Sequence, residues 1–444
     1  MDTRFAEELL DNVLSHGADE AEVLVTTSKH LNIEVSGQEI DTLERSDSVG
    51  YSVRVFKDRR LGFSYSTNPS DINIVARQAV ESAGFSEPDE FNALPSKAAP
   101  STVKIFDAAV TSLSEQEAIR LVLSMERAAL DRDSLIKKTR SASGSFGGSS
   151  TRILNSKGID SEYDATSCSG SIMAVAVDTS ESQMAWEYNG SRFLSDINFG
   201  EIGGMAAMRA LQLLGARKIR PARGFVLLDS AVTADFLEIL SSALSADAVQ
   251  KNKSMLAGRI GEPVISPVLN ITDSGLLDGR LGSRTFDAEG VPTTEKVLIE
   301  RGILKGFLHN TYTSLKDSTI STGNAVRSGF TGIPGVGRSN FVISAASADH
   351  TRNFKDLAGM IDRGIYVTET MGMHTANPIS GEYSVGVSGL WIENGAIAYP
   401  VKEAVISGNI LDLFRNIIMI GEDIRFYGNI GTSYVLAGNI DISG

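Results

Sequence analysis

The sequence predicts an α+β fold in which two helix–meander–helix modules precede a larger, mostly antiparallel β-rich domain with a few helices. Within the first 216 residues, the spacing of apolar residues changes twice from a helical period to a period of two and back. Beyond residue 222, short apolar runs separated by glycine-bearing turns dominate. Strict alternation of strands and helices, which is typical of a parallel sheet, is absent. The length of 444 residues agrees with roughly three domains.

The first module is predicted to span residues 1–86. Apolar residues recur at helical spacing over residues 4–16, and the period then changes to two over residues 22–66, which predicts an antiparallel meander. A second helix is expected after Pro69, because proline is favoured at the start of a helix. Residues 87–112 hold three prolines and show little periodicity, so we interpret them as a linker.

The central module is predicted to span residues 113–216. It opens with Ser114 and Glu117, whose spacing is that of a capping box at the start of a helix. Strands are expected between residues 135 and 187, with the glycine-rich segment 143–150 as a flexible turn. A helix of small residues closes the module, so the order helix, meander, helix occurs twice.

The third domain is predicted to span residues 222–444. Hairpins are expected at Glu300-Arg301-Gly302 and at Asn394-Gly395, because glycine and asparagine readily adopt the positive φ angles of tight turns. Beyond these hairpins we expect a buried strand at residues 225–228 and helices at 234–244, 349–363 and 410–419.

Composition argues against several classes of protein. The net charge is -14 and no long basic run is present, so we expect no direct contact with nucleic acid. No segment approaches the roughly 20 apolar residues that span a bilayer, and we expect no membrane insertion. Cys168 is the only cysteine in the sequence and cannot form an internal disulfide. We expect a cytoplasmic protein without a signal peptide, in which Cys168 is a structural thiol.

Polar loops in the third domain are the candidates for a binding surface, since loops held by rigid elements commonly carry function. Two of them, residues 287–292 and 322–327, flank the first hairpin, and the third spans residues 374–382. The alternative is that their acids and amides satisfy their own turns. The candidate substrate-binding or partner-binding residues are Asp287, Glu289, Asn324, Arg327, His374, Asn377 and Glu382.

These loops resemble the TldD/PmbA (TldE) family. Its members are bacterial and archaeal proteins that are described as subunits of a zinc metalloprotease and were historically called modulators of DNA gyrase. The segments that carry the resemblance are DAEGVP (287–292), LIERG (298–302), TGN (322–324) and NPISGEYS (377–384). The resemblance covers most of the chain and is strongest beyond residue 220.

The resemblance also indicates the branch of the family. Catalytic members (TldD) carry a zinc motif His-Glu-x-x-x-His on a helix, together with a cysteine near the C-terminus. Counting back without gaps from Gly258 and Gly261 places this motif on residues 237–242, LEILSS, where only Glu238 remains. Leucine cannot ligate zinc, a neutral serine does so poorly, and residues 423–444 contain no cysteine. The resemblance therefore implies the PmbA/TldE branch, without catalytic or metal-ligating residues and with Glu238 as a solvated helix residue.

The leading hypothesis is a non-catalytic subunit that pairs with a TldD-like subunit to cleave unfolded or extended peptides. This chain is then expected to bind no cofactor, and zinc is expected only in the partner of the heterodimer. A homodimer in isolation is an alternative assembly. One rival is an autonomous metallopeptidase whose site is formed by Asp287, Glu289 and His309. Another is a scaffold that acts on gyrase or toxin systems without proteolysis.

Overall fold

The N-terminal modules alternate helices with long antiparallel strands. The structure, a computed structural model, describes residues 3–179 and 181–444. The helices of this half are α1 (Thr3–Ser15), α2 (Ile72–Ala83), α3 (Ala108–Thr111), α4 (Glu115–Leu130) and α5 (Phe199–Gln212). Its strands are β1 (Glu20–Ser36), β2 (Glu39–Lys57), β3 (Arg60–Ser66), β4 (Ile136–Asn155), β5 (Asp160–Val177) and β6 (Ser182–Ser191).

The two meanders join into one continuous six-stranded sheet of order β3-β2-β1-β4-β5-β6. The central pair is β1 with β4, which runs antiparallel from Glu22 opposite Asn155 to Val35 opposite Ala142. Helices α1 and α2 pack on one half of the sheet, and α4 and α5 pack on the other. The two modules therefore share a sheet, although each half has its own apolar cluster.

The glycine-rich segment 143–150 is not a flexible turn, and this prediction is wrong. It lies inside β4. Its glycines have no side chains, and this lets neighbouring groups approach the strand closely. A Cβ added at Gly144 would lie 2.4 Å from a methyl group of Val122, and one added at Gly147 would lie 2.1 Å from Nδ1 of His30. The small residues therefore serve close packing.

The C-terminal domain contains many short strands and few helices. Its helices are α6 (Ser230–Ala243), α7 (Ala246–Gln250), α8 (Thr311–Lys316), α9 (Phe354–Gly359) and α10 (Ile410–Arg415). Its first strands are β7 (Ala222–Leu228), β8 (Leu269–Ser274), β9 (Glu295–Glu300), β10 (Ile303–Leu304), β11 (Ala325–Val326), β12 (Gly335–Val336), β13 (Asn340–Ala345) and β14 (Thr351–Arg352). Its later strands are β15 (Arg363–Met371), β16 (Glu382–Glu393), β17 (Ala396–Asn409), β18 (Ile417–Gly421), β19 (Arg425–Tyr427), β20 (Ile430–Thr432) and β21 (Val435–Ser443).

Five of these strands close into a ring, because β7 pairs with both β15 and β21 while β16 and β17 complete the circuit. Strands β18 and β14 extend from β21, and a separate sheet has the order β10-β9-β8-β13-β20-β19. Helix α6 follows β7 and buries Phe236, Leu237 and Leu240 in the main core of the domain. This largely antiparallel arrangement confirms the predicted α+β class.

Both predicted hairpins are confirmed. Residues Arg301 and Gly302 have φ angles of 48° and 77°, and Asn394 and Gly395 have φ angles of 50° and 77°. Each pair connects two antiparallel strands, β9 to β10 and β16 to β17. Positive φ at both central residues matches the twist of the strands on either side.

Two later helices are shorter than predicted. Helix α9 covers only Phe354–Gly359, and α10 ends at Arg415. The chain then enters β18, where Ile417 and Ile420 are buried in the core and pair with β21. Tertiary pairing therefore overrides the local apolar spacing. Among the described residues, every helix falls short of the length and hydrophobicity that a membrane-spanning helix needs.

Candidate functional site

A groove of about 800 Å³ runs along one face of α6. Its other walls come from the segment before β13 and from the turn that follows β15. Its lining includes both apolar and polar side chains, and Ile239, Val336 and Met373 are among the apolar ones. The polar lining includes Asp235, Glu238, Ser241, Asp247, Arg338 and His374.

Arg338 is held against α6 by three hydrogen bonds. Its Nε donates to Oδ1 of Asn429 at 3.0 Å, its Nη1 donates to Oγ of Ser241 at 2.9 Å, and its Nη2 donates to Glu238. Asn429 is itself oriented by a 2.7 Å bond from its Nδ2 to the carbonyl of Ser339. The side chain of Glu238 is 57% exposed, as expected for a solvated helix residue, but it is paired with this guanidinium.

Two neighbouring carboxylates have raised pKa values: Asp235, which lines the groove, and Glu369, which does not. Burial raises the pKa of Asp235, and the charge of Glu238 adds to this, although a hydrogen bond from Thr370 opposes it. Burial also raises the pKa of Glu369, and the charge of Asp235 contributes. Ionisation of one carboxylate therefore disfavours ionisation of the next.

The third predicted loop forms the rim of the groove. Gly372, at φ 86°, starts a single turn of 3₁₀ helix, and this turn presents His374 as an exposed side chain at the groove. Asn377 and Glu382 are also exposed but line a neighbouring depression of about 560 Å³. The side chain of Asn377 accepts hydrogen bonds from the backbone N–H groups of Ile379 and Ser380, so it shapes the loop as well.

The other four predicted residues lie in the interior, where two of them form an ionic network between domains. Arg54 of β2 donates to Oε1 of Glu289 at 2.8 Å and to Oε2 of Glu22 at 2.7 Å. Arg327 donates to the other oxygen of Glu22 and, at 3.1 Å, to the carbonyl of Ala288. All four charged side chains are at most 6% exposed. Glu289 and Arg327 therefore hold the C-terminal domain to the first module.

The side chains of Asp287 and Asn324 form hydrogen bonds inside the protein. The carboxylate of Asp287 accepts the N–H groups of Glu289, Val291 and Ala325 at 2.9 to 3.0 Å. Asn324 is fully buried and donates to Asp273 at 2.8 Å. Burial and the nearby charge of Glu289 raise the pKa of Asp287 to about 7. For these residues the structure favours the alternative in which polar side chains satisfy their own loops.

A second buried network joins the central module to the C-terminal domain. Arg209 of α5 contacts Asp229 at 3.1 Å and Glu187 of β6 at 3.5 Å. Arg425 donates to Glu187 at 2.7 Å, and the hydroxyl of Tyr366 donates to Asp229. This network was not predicted from the sequence, and neither were the roles of Glu22, Arg54 and Arg338. Their partners are mostly distant in the sequence, so no local pattern marks them.

The residues of α6 do not fit a catalytic zinc ion. Leu237 is fully buried and offers no donor atom, and the hydroxyl of Ser242 donates to the carbonyl of Ile239. Glu238 is engaged by Arg338. Across the described residues, no group of three histidine, cysteine, aspartate or glutamate side chains is arranged to hold a metal.

The rival site built from Asp287, Glu289 and His309 does not fit a metal either. Each carboxylate oxygen of the two acids already accepts a hydrogen bond from the protein. His309 is 8% exposed, its Nδ1 has no hydrogen-bond partner among the described residues, and burial lowers its pKa. The two carboxylates are therefore occupied by hydrogen bonds within the protein, and the imidazole of His309 is buried.

Cys168 is a buried thiol whose Sγ contacts the carbonyl of Ser191 at 3.5 Å. Burial, with added repulsion from Asp107 and Asp196, raises its pKa to about 12. Because the thiolate is the nucleophilic form, this cysteine is unsuited to catalysis near neutral pH.

Models of known protein families match nearly the whole chain. Models for domain 1, the central domain and the C-terminal domain of the PmbA/TldA metallopeptidases match residues 21–83, 109–214 and 221–444, respectively.

Similar proteins carry related names. The metalloprotease PmbA homolog of Buchnera aphidicola from Acyrthosiphon pisum is 34% identical over 333 residues, which is 74% of this chain and 71% of that protein. The metalloprotease PmbA of Escherichia coli O157:H7 is 29% identical over 99% of this chain and 96% of its own length. A metalloprotease TldD homolog of Haemophilus influenzae is 32% identical, over 42% of this chain and 38% of its own length.

Solved structures share the whole fold. A protein from Thermotoga maritima that is described as a modulator of a DNA gyrase superposes with a TM-score of 0.91 at 28% identity, covering 99% of both chains. TldE from Thermococcus kodakarensis superposes with a TM-score of 0.90 at 23% identity, covering 99% of this chain and 100% of that one. The chain therefore belongs to the PmbA/TldD family of metallopeptidases.

Proposed function

We propose that this chain is a zinc-free subunit of the PmbA/TldE type, which acts together with a TldD-like, zinc-bearing subunit to cleave extended peptides. The observation that carries the proposal is the chemistry of α6. At the positions where the resemblance predicts two imidazoles, this helix has Leu237 in the core and Ser242 bonded to its own backbone. Hydrolysis then requires a metal from another polypeptide.

The groove along α6 is the surface that we assign to the peptide. Its mixture of apolar and polar lining suits a chain of varied sequence, and its volume of about 800 Å³ is within the range of known ligand sites. His374 lies at its rim, Asn377 lies on the same loop beside it, and Glu382 begins β16 directly after this loop. We assign these three exposed residues to contact with the peptide or with the partner subunit.

Reconstitution tests the proposal. The purified chain is mixed with a homologue that carries the intact His-Glu-x-x-x-His helix, and hydrolysis of an unstructured peptide is measured for the mixture and for each protein alone. We expect efficient cleavage only by the mixture. A mixture no more active than the zinc-bearing homologue alone would contradict the proposal.

A loop variant tests the surface. We expect His374→Ala to lower kcat/KM of the mixture about tenfold, because it removes a side chain at the groove rim. His350→Ala is a matched control, because His350 is half-buried at another 3₁₀ turn, away from the groove, and its side chain bonds locally to Ser347. Equal activity of the two variants would remove the loop from the proposed surface.

A further inference from the structure

Arg338 has hydrogen-bonding capacity that the protein does not use. A guanidinium carries five N–H donors. Three of those of Arg338 form hydrogen bonds, with Glu238, Ser241 and Asn429. The two remaining N–H groups have no partner in the part of the chain that the structure describes. The side chain is 22% exposed and borders the α6 groove, so these donors are available to a molecule in the groove.

The guanidinium is also fixed in place before any ligand arrives. Two of its partners, Glu238 and Ser241, lie on α6, and the third, Asn429, is anchored to the backbone at Ser339. A donor held by three bonds loses little conformational freedom when it binds a ligand. Its planar fork further restricts where an acceptor atom can lie.

The charges around Arg338 select the kind of acceptor. Glu238 offsets the positive charge of the guanidinium, and Asp235 adds negative charge along the same groove, whereas Asp247 is paired with Lys251 at 2.9 Å. An anionic acceptor would be repelled by these carboxylates, whereas a neutral carbonyl oxygen would not. The apolar lining beside them accommodates uncharged side chains of different sizes.

We propose that Arg338 donates to a main-chain carbonyl oxygen of an extended peptide that lies in the α6 groove. Arg338 is then the binding residue that fixes the depth and register of the peptide, independently of its side-chain sequence. This inference rests on the proposed function, because it takes the peptide as the occupant of the groove.

Binding to the isolated chain tests the inference directly. The probe is an unstructured peptide of uncharged residues with an amidated C-terminus, so that main-chain carbonyls are its main acceptors. We expect Arg338→Gln to raise its Kd at least about tenfold, because a hydrogen bond from a charged donor is lost. Arg338→Lys should restore part of the affinity. Arg223→Gln is a matched control, because Arg223 forms an exposed ion pair with Asp441 and does not line the groove.

A purely structural role for Arg338 makes different predictions. If Arg338 only neutralised Glu238, then Arg338→Gln would have little effect on binding once Glu238→Gln had removed that charge. The inference instead expects Arg338→Gln to weaken binding in the Glu238→Gln background as well, because the donor to the peptide is lost there too. The thermal unfolding temperature of Glu238→Gln should stay near that of the wild type, since the Glu238 side chain is 57% exposed. The unfolding temperature of each Arg338 variant is measured as well, so that binding is compared only between folded proteins.

Kinetics of the reconstituted pair separate this inference from the proposed function. We expect Arg338→Gln to raise KM with kcat little changed. An active pair that is insensitive to this substitution would overturn the inference and leave the proposed function standing. An inactive pair would contradict the proposed function, and the binding experiment would still decide the role of Arg338. A requirement for a free C-terminal carboxylate, or no peptide binding at all, would also overturn the inference.

Discussion

Arg54 lies between two carboxylates that are far from it in the sequence. It bonds to Glu22 and to Glu289, and Glu22 in turn bonds to Arg327. These side chains are buried, so each charge depends on the others for its compensation. Removing one member leaves a buried charge without a partner, which is far more costly than losing an exposed pair.

Arg54→Met tests the importance of this network. We expect it to lower the apparent free energy of unfolding by about 3–5 kcal/mol, because Glu22 and Glu289 lose their shared cation. Arg45→Met is the matched control on the same strand, where Arg45 is 66% exposed and pairs with Glu115 at 3.1 Å. It should cost less than about 1 kcal/mol. Chemical denaturation of both variants measures the difference, and similar costs would count against the network.

Asp287 should make stability depend on pH. Burial and the charge of Glu289 raise its pKa to about 7, whereas an unfolded aspartate ionises near about 3.9. At pH values between these two pKa values, the folded state retains a proton that the unfolded state has lost. The stability associated with this proton is therefore fully present below about pH 4 and is lost as the pH rises through about 7.

Denaturation of the wild type and of Asp287→Asn from about pH 5 to about pH 8 tests this linkage. The wild type should lose stability relative to the variant by up to about 1.4 kcal/mol per pH unit below pH 7. Above that pH the difference should level off. Parallel stability curves would show that Asp287 does not titrate in this range.

At the scale of secondary-structure elements, the contact between α4 and α5 depends on the absence of a side chain at Gly203. A Cβ at this position would lie 1.9 Å from the carbonyl oxygen of Met125 on α4. The next residue, Gly204, has no atom within 4 Å of the corresponding position. Two adjacent glycines in one helix therefore have opposite structural requirements.

Alanine substitution at these two glycines measures the close packing of the helices. We expect Gly203→Ala to destabilise the protein by about 1–3 kcal/mol or more, because α4 and α5 must move apart. Gly204→Ala should stabilise it by about 0.4–1 kcal/mol, because alanine restricts the unfolded chain and meets no obstacle. Thermal unfolding of the two variants is the measurement. Destabilisation of equal size in both would contradict the assigned helix contact.

Elements with a strong local signal could be predicted from the sequence. The capping box of Ser114 and Glu117 is present as predicted, and the Arg301-Gly302 hairpin has the expected positive φ angles. Local sequence patterns failed to predict the structure of segments whose conformation is determined by tertiary contacts. Segment 143–150 resembles a loop in composition but is a strand, because its glycines admit Val122 and His30.

At the scale of the whole molecule, two buried ionic networks tie the shared sheet to the C-terminal domain. Their members come from separate modules, for example Glu22 with Arg327 and Glu187 with Arg425, and the sequence shows no sign of such pairing. The same limit applies to the candidate site. Local composition identified the polar loops, but only the fold separates the exposed residues, such as His374, from the buried ones, such as Asp287.

We propose that hydrolysis by this protein requires a zinc-bearing partner, because residues 3–179 and 181–444 include no side chains arranged to hold a catalytic metal. Zinc content and peptide hydrolysis, measured on the same preparation of the isolated chain, test this requirement. We expect much less than one zinc per chain and no turnover, with hydrolysis appearing on addition of a TldD-like subunit. Stoichiometric zinc together with turnover by the isolated chain would contradict the account.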